Sequence, residues 1–397
     1  MNDKLKLINK TITSIEFIVS EKCQNDCVYC YRRAYHNRSK FIDIDSYDFE
    51  YLVDKTLEFV GNQDRLKNEP AELFGGDGFL HFDKHVKYLE ILTKKGFKKI
   101  SCPTNTRMLC EISDHDLDFI VNKYNVHYSL SVDSLVCENN RKLSRYGKML
   151  AYNDVINYDR IFHLVKKYRF GLHPMFDFKD CDKWYDQFLF FYENGVINGL
   201  HFYMLEIRHH IPDINRIPIA VEQMYKILLH IKKTNGIAKL FNTLSPSYVS
   251  RGIGCSLQTT LTVNYDGNCY VCHRLIYPQY RYANVFNGYF NKDIFMNYFI
   301  IYDHRNVFPC VICPIRKLCS GQCLGASFEL TGGCETYIDT TICVYNLLKM
   351  YMFIKFYEDY DKEIFRFVLN SIDYDLLKKM LYQYFDENIL KPYHLNK

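Results

Sequence analysis

Cys23-Gln-Asn-Asp-Cys27-Val-Tyr-Cys30 is the stretch on which the fold turns. Its cysteines stand at C-x3-C-x2-C spacing directly after an apolar run, residues 15–19. Three thiolates can hold three irons of a 4Fe–4S cube, leaving the fourth iron without a protein ligand, unlike a four-cysteine site. An open iron can bind a substrate or a cofactor. C-x2-C pairs also bind zinc, so a zinc knuckle is the rival reading of these residues.

Working outward, residues 13–19 read as a strand that ends at the cysteine loop. A helix is expected over 46–60, with Phe49, Leu52, Val53 and Leu57 on one face. The apolar segment 71–74 runs into Gly75-Gly-Asp-Gly78, and a helix over 84–95 stops at Gly96. Strands follow at 99–103 and 126–132, separated by a helix that opens with a capping box at Ser113-Asp-His-Asp116. Helices at 152–169, 182–194 and 219–235 alternate with strands at 171–176 and 200–207. Repeated strand–helix alternation predicts an α/β fold, a partial (β/α)6 TIM-like barrel of parallel strands with outer helices. Such a barrel carries function at the carboxyl ends of its strands. The cysteine loop, the Gly75 loop, Thr104-Asn105 and Asp133 all fall there.

The pattern changes near residues 243–251, where elements shorten and cysteines become dense up to Cys343. The expected organisation is a barrel over 1–245, a cysteine-rich domain over 246–345 and a helical extension over 346–397. The last is rich in Tyr, Leu and Lys and reads as a packing appendage.

The chain has 397 residues, 48% of them hydrophobic, enough for a large core. Its net charge of +4, from 50 basic and 46 acidic residues, is too balanced to argue for nucleic acid or an anionic membrane. No apolar run is long enough to span a bilayer. Residues 1–10 are polar and lack the apolar segment of a signal peptide. Sixteen cysteines without such a signal point to metal binding rather than disulfides, in a reducing, oxygen-poor cytoplasm.

With these motifs in view, the chain resembles the radical SAM enzymes, in which an open iron chelates S-adenosylmethionine. There, one electron cleaves that cofactor to a 5′-deoxyadenosyl radical. The resemblance implies a cluster on Cys23, Cys27 and Cys30. It places Tyr29, between the last two, against the adenine; a core tyrosine is the alternative among 34 tyrosines. Gly75-Gly76-Asp77 stands where the family has a Gly-Gly-Glu motif for the methionyl amine, with a carboxylate one methylene shorter. Glycines admit close backbone approach, and an ordinary tight turn is the alternative. Ser131, in Ser129-Leu-Ser-Val-Asp133, resembles a serine that contacts the ribose or methionyl part. Arg141 and Arg145 are candidates to fork onto the methionyl carboxylate, or two surface arginines.

The second half resembles the seven-cysteine SPASM pattern. Cys255 is followed by Gly267 and Cys272, then by Cys310-x2-Cys313-x5-Cys319-x3-Cys323 and Cys343. That resemblance implies two auxiliary 4Fe–4S clusters, three in all. Cys310, Cys313, Cys319 and Cys343 would hold the outer one, and Cys255, Cys272 and Cys323 the inner one. Cys269 competes for the inner cluster's fourth place, although its odd spacing from Cys272 on a strand sends the two side chains to opposite faces. His273 stands where sulfatase-maturing relatives carry an aspartate base. It is the candidate catalytic residue here, or a histidine that merely packs beside a cluster.

The resemblance implies a peptide-modifying maturase that abstracts hydrogen from a ribosomal precursor peptide and forms a thioether or carbon–carbon crosslink. A peptide epimerase, a formylglycine-forming maturase and a non-catalytic metal-binding protein are the alternatives. Expected partners are the peptide and an external electron donor of flavodoxin or ferredoxin type. Only 22 residues precede Cys23, so a separate leader-recognition protein is a further expectation.

Overall fold

The structure is a computed structural model. It describes residues 3–27, 30–32, 47–61, 63–79, 81–136, 141–145, 148–151, 156–196, 203–204, 214–235, 256–316, 319, 321–357 and 374–385. The chain divides into two compact units. The first comprises 1–132, 139–173 and 256–302, and the second 133–138, 174–255 and 303–397.

The first unit is built on one sheet. Its strands are β1 (Ser14–Ser20), β2 (Ala71–Gly75), β3 (Ile100–Thr104), β4 (Val126–Leu130), β5 (Gly171–Leu172), β6 (Thr260–Asn264), β7 (Asn268–Tyr270) and β8 (Arg281–Asn284). Their order across the sheet is β8-β7-β6-β1-β2-β3-β4-β5. From β6 to β5 every pairing is parallel, and β7 and β8 add as antiparallel strands. The expected run of strands from β1 to β5 thus stands in order. β6, from the segment read as cysteine-rich domain, joins the sheet on the other side of β1.

The outer helices form where the apolar spacing places them. α1 (Phe49–Val60) buries Phe49, Leu52, Val53, Leu57 and Val60, and the carboxylate of Asp48 caps it by accepting from the Tyr51 amide. α2 (Phe82–Lys94) precedes β3, and α3 (Asp114–Tyr124) starts where the Ser113 hydroxyl accepts from the Asp116 amide. α4 (Tyr158–Tyr168) is capped by Asn157. Phe17 of β1 meets Phe49 of α1 edge to face at 5.4 Å, so the odd-numbered positions of β1 face the helices.

One expectation changes. The strand predicted over 171–176 breaks into β5 and a short strand Met175–Phe176, which pairs in parallel with Tyr203–Met204 in a separate sheet of the second unit. Pro174 lies at the break, and without an N–H it cannot extend a ladder. Tyr203–Met204 is the described part of the sixth strand expected over 200–207.

The core of the second unit draws on helices Trp184–Glu193, Ile217–Asn235, Thr340–Tyr357 and Tyr374–Tyr382. Trp184, Phe188, Val221 and Leu228 are buried with Leu348, Tyr351, Ile354 and Leu377. The C-terminal helices are therefore core rather than appendage. Among the described residues no helix is long and apolar enough to cross a membrane.

Candidate active site

The cysteine loop leaves the carboxyl end of β1 and is locked onto the loop after β2. The Gly76 amide donates to the Ser20 carbonyl at 2.7 Å, and the Asp77 amide to the Lys22 carbonyl at 3.0 Å. This close crossing explains the two glycines. A Cβ on Gly75 would lie 2.0 Å from the Ser20 carbonyl oxygen, and one on Gly76 would lie 2.4 Å from that of Lys22. The glycines, read from the sequence as room for a ligand, are required by the chain's own backbone.

Asp77 is fixed by this crossing and is almost fully buried. Its Oδ1 accepts from the Phe79 amide at 3.1 Å, while Oδ2 is buried. Burial pushes the carboxyl up to about 6, against the pull of the Phe79 amide, the Thr104 hydroxyl and the Asn105 amide. Cys23 stands beside it. Its Sγ accepts from the Asn25 amide at 3.4 Å and from Asn105 Nδ2 at 3.6 Å. Cys23 keeps accessible surface, yet protein surrounds it on most sides. That surrounding, with the charge of Asp77, pushes its thiol up to about 12. Cys30 is close enough to add to the shift, and its amide donates to the Cys27 carbonyl at 3.0 Å. None of the three is in a disulfide.

The strand Asn25–Cys27 pairs antiparallel with Arg141–Arg145, Cys27 lying opposite Arg141. The backbone of the expected carboxylate-binding arginines is thus drawn to the cysteine loop; their side chains lie outside the description. Tyr29 and Cys255 also lie outside the described residues. Ser131 sits at the end of β4, its amide donating to the Thr104 carbonyl at 2.9 Å. Asp133 accepts from the Met175 amide at 3.0 Å, a bond that ties its own segment.

A second polar group lies on the face of the sheet turned away from the helices. Register places Thr262, Glu16, Glu72, Ser101 and His127 in one row across β6, β1, β2, β3 and β4. Glu16 accepts from the Thr262 hydroxyl at 3.1 Å and lies 2.8 Å from Nδ1 of His273. His273 stacks on Phe74 at 4.3 Å and tilts against Tyr31 at 5.5 Å. Burial and the charge of Glu16 push the carboxyl of Glu72 up to about 7, with His273 pulling it back. The sequence carries this row openly: a glutamate interrupts each of the apolar strands 15–19 and 71–74. Only the register joins them.

In the second unit four cysteines converge. Burial, then the neighbouring thiols of Cys319 and Cys313, push Cys310 up to about 11. Burial and the thiols of Cys310, Cys319 and Cys313 raise Cys343 to about 12. Donors surround the sulfurs. Cys319 Sγ accepts from the Gly321 amide at 3.4 Å and from Asn346 at 3.6 Å, and Cys343 Sγ from Gln322 at 3.6 Å. Such N–H groups stabilise thiolate, the form in which cysteine binds metal. Of the cysteines expected at an inner cluster, Cys272 belongs to the first unit and Cys323 to the second. Cys269 is fully buried in β7, its thiol donating to the Gly267 carbonyl at 3.8 Å. Among the described residues no three His, Cys, Asp or Glu side chains close on a point where a single metal ion would sit. A cube spreads its thiolates over separate irons, whereas one ion draws its ligands to one centre.

No protein-family model matches the sequence, and no curated protein matches it. Solved structures match the fold. Native anSMEcpe with bound AdoMet is 17% identical, over 90% of this chain and 99% of that one, with a TM-score of 0.64. Native anSMEcpe with bound AdoMet and the Kp18Cys peptide is 16% identical over the same shares, with a TM-score of 0.61. SuiB of Streptococcus suis bound to its precursor peptide SuiA is 15% identical, over 85% of this chain and 78% of that one, with a TM-score of 0.53. These are radical SAM maturases of SPASM type that modify peptides. The fold of this chain is theirs: a partial barrel with a cysteine-rich second half.

Proposed function

We propose that this chain is a radical SAM peptide maturase. In this reading residues 1–245 handle the cofactor, 246–345 carry auxiliary clusters and 346–397 are a helical extension whose Asn346 donates to Cys319. Cys23, Cys27 and Cys30 hold the first 4Fe–4S cluster; Cys310, Cys313, Cys319 and Cys343 hold an outer one. The spacing of Cys255, Cys272 and Cys323 supports a third. When bound, the first cluster supplies the electron that cleaves S-adenosylmethionine to methionine and the radical that abstracts a hydrogen atom.

The observation that carries the reading is the pairing of Cys23 with the buried carboxylate of Asp77, which no cation among the described residues is found to neutralise. An α-ammonium group presented by a ligand at Cys23 would give the buried Asp77 carboxylate a charged partner in addition to the neutral Thr104 hydroxyl and Asn105 amide beside it. Backbone groups of 20–22 and 75–77 hold the two partners in register.

The substrate in this reading is a ribosomally made precursor peptide, and the product a thioether or carbon–carbon crosslink. The balance is loss of two hydrogens: one leaves as an atom to the deoxyadenosyl group, the other as a proton, with one electron passed on. His273 is the residue assigned to the proton. Because Glu16 accepts from Nδ1, the imidazole leaves Nε2 to take it. A protein of flavodoxin or ferredoxin type is assigned as donor of the electron for cofactor cleavage, and a cluster held by Cys310, Cys313, Cys319 and Cys343 would take up the electron that the substrate gives back. An oxygen-poor cytoplasm suits this chemistry, and a separate leader-recognition protein would present the peptide.

The test is anaerobic reconstitution with peptides encoded beside the gene. The expected products are 5′-deoxyadenosine and a peptide lighter by two hydrogens. A peptide of unchanged mass containing an inverted centre would replace crosslinking with epimerisation. Retained cofactor cleavage in Cys27→Ala would overturn the reading.

A further inference from the structure

Behind the Asp77 loop lies a buried hydrogen-bond chain that the chemistry above does not use. His85, in the first turn of α2, places Nδ1 3.1 Å from the Gly78 carbonyl oxygen and Nε2 2.8 Å from the Tyr128 hydroxyl. Both residues are fully buried. Phe79, the residue whose amide holds Asp77 Oδ1, packs its ring against both, with centroids 4.6 Å from the imidazole and 5.3 Å from the tyrosine ring.

The direction of the chain follows from chemistry. A carbonyl oxygen only accepts, so Nδ1 carries the proton and Nε2 accepts from the tyrosine O–H. Burial lowers His85 to about 3, so the ring stays neutral and this tautomer holds across the physiological range. The two residues that follow Asp77 are thus tied, one by its carbonyl and one by its ring, to α2 and to β4.

We propose that His85 and Tyr128 are positioning residues for cofactor recognition: they hold the Gly78–Phe79 peptide so that the Asp77 carboxylate faces the α-ammonium group of the ligand. The inference rests on the assignment of Asp77 made above. His85 touches no reacting atom; it acts through the Gly78 carbonyl. The loop needs this support because Gly78 has no side chain of its own to anchor it. A Cβ there would lie 2.9 Å from the Leu73 carbonyl oxygen and 3.1 Å from Cys102 Sγ.

The test uses the full chain, reconstituted anaerobically and kept without reductant so that nothing turns over. Binding is measured for S-adenosylmethionine and for its analogue lacking the α-amino group. Wild type is expected to prefer the amine about tenfold, the scale of one charge-assisted hydrogen bond. Tyr128→Phe and His85→Leu are expected to shrink that preference to about twofold, leaving the affinity for the analogue unchanged. His85→Asn, whose amide nitrogen takes the place of Nδ1, restores the bond to Gly78 and with it the preference. Hydrogen exchange at the Phe79 amide, read without any ligand, should quicken in Tyr128→Phe and His85→Leu and stay slow in His85→Asn. Iron content equal to wild type shows that a variant is folded. An undiminished preference in folded Tyr128→Phe and His85→Leu overturns the positioning role while leaving Asp77 in place. Absence of the preference in wild type overturns the Asp77 assignment, and this inference with it.

Discussion

Glu16 and His273, 257 positions apart, meet through Oε2 and Nδ1 at 2.8 Å. The contact exists because β6 pairs with β1 and brings the turn after β7 over the row that Glu16 occupies. A carboxylate on Nδ1 sets both the tautomer and the ring plane of an imidazole, and Phe74 fixes the same plane by stacking. Glu16→Gln keeps a hydrogen bond but loses the charge. We expect peptide product to fall by roughly 10- to 100-fold, while 5′-deoxyadenosine still forms. Parallel loss of both products would remove His273 from the proton step.

Asp77 makes cofactor affinity depend on pH. Its carboxyl is raised to about 6, so below that pH it is protonated and offers no charge to an ammonium. Affinity for S-adenosylmethionine should therefore fall about tenfold between pH 7 and pH 5. Asp77→Asn should bind weakly and show a flat profile over the same range. Equilibrium binding at a series of pH values checks this.

Glu72 bears on stability rather than binding. Its folded pKa, about 7, lies above that of an unfolded glutamate, so the folded state holds the proton more tightly. Stability linked to this group is present at low pH and is lost as pH rises from the ordinary carboxylate range through 7. Glu72→Gln removes the loss. It should melt about 3 °C above wild type at pH 8 and level with it at pH 4.5, by thermal denaturation.

Gly76→Ala tests the crossing of loops. The new Cβ would meet the carbonyl oxygens of Lys22 at 2.4 Å and Glu21 at 2.7 Å, both backbone atoms. Overpacking of this kind costs about 1–3 kcal/mol. The strain falls on the chain just before Cys23, so iron bound by the reconstituted protein should drop together with melting temperature.

Much of this arrangement is legible in the sequence, because local signals and the fold agree. The apolar runs of β1 and β2, the alternation of β4, the Ser113 cap and the apolar face of α1 are all visible at short range. What periodicity cannot supply is pairing between distant segments. The residues 260–264 have a strand's composition, but nothing local says that their neighbour is β1. For the same reason Glu16 and Glu72 read as isolated charges until the register sets them side by side. The glycines of the 75–76 turn could be seen, but not that the backbone of Ser20 and Lys22 is what fills the space beside them. Pro174 marked a break that the apolar pattern of 171–176 concealed.

The central place of β1, between β6 and β2, has a bearing on how the polypeptide emerges from the ribosome. Its first strand must wait until some 240 further residues have been made before its second neighbour exists, and until then one whole edge of backbone donors and acceptors is bare. A truncated chain that stops short of residue 260 would keep that edge for good and should be prone to clump.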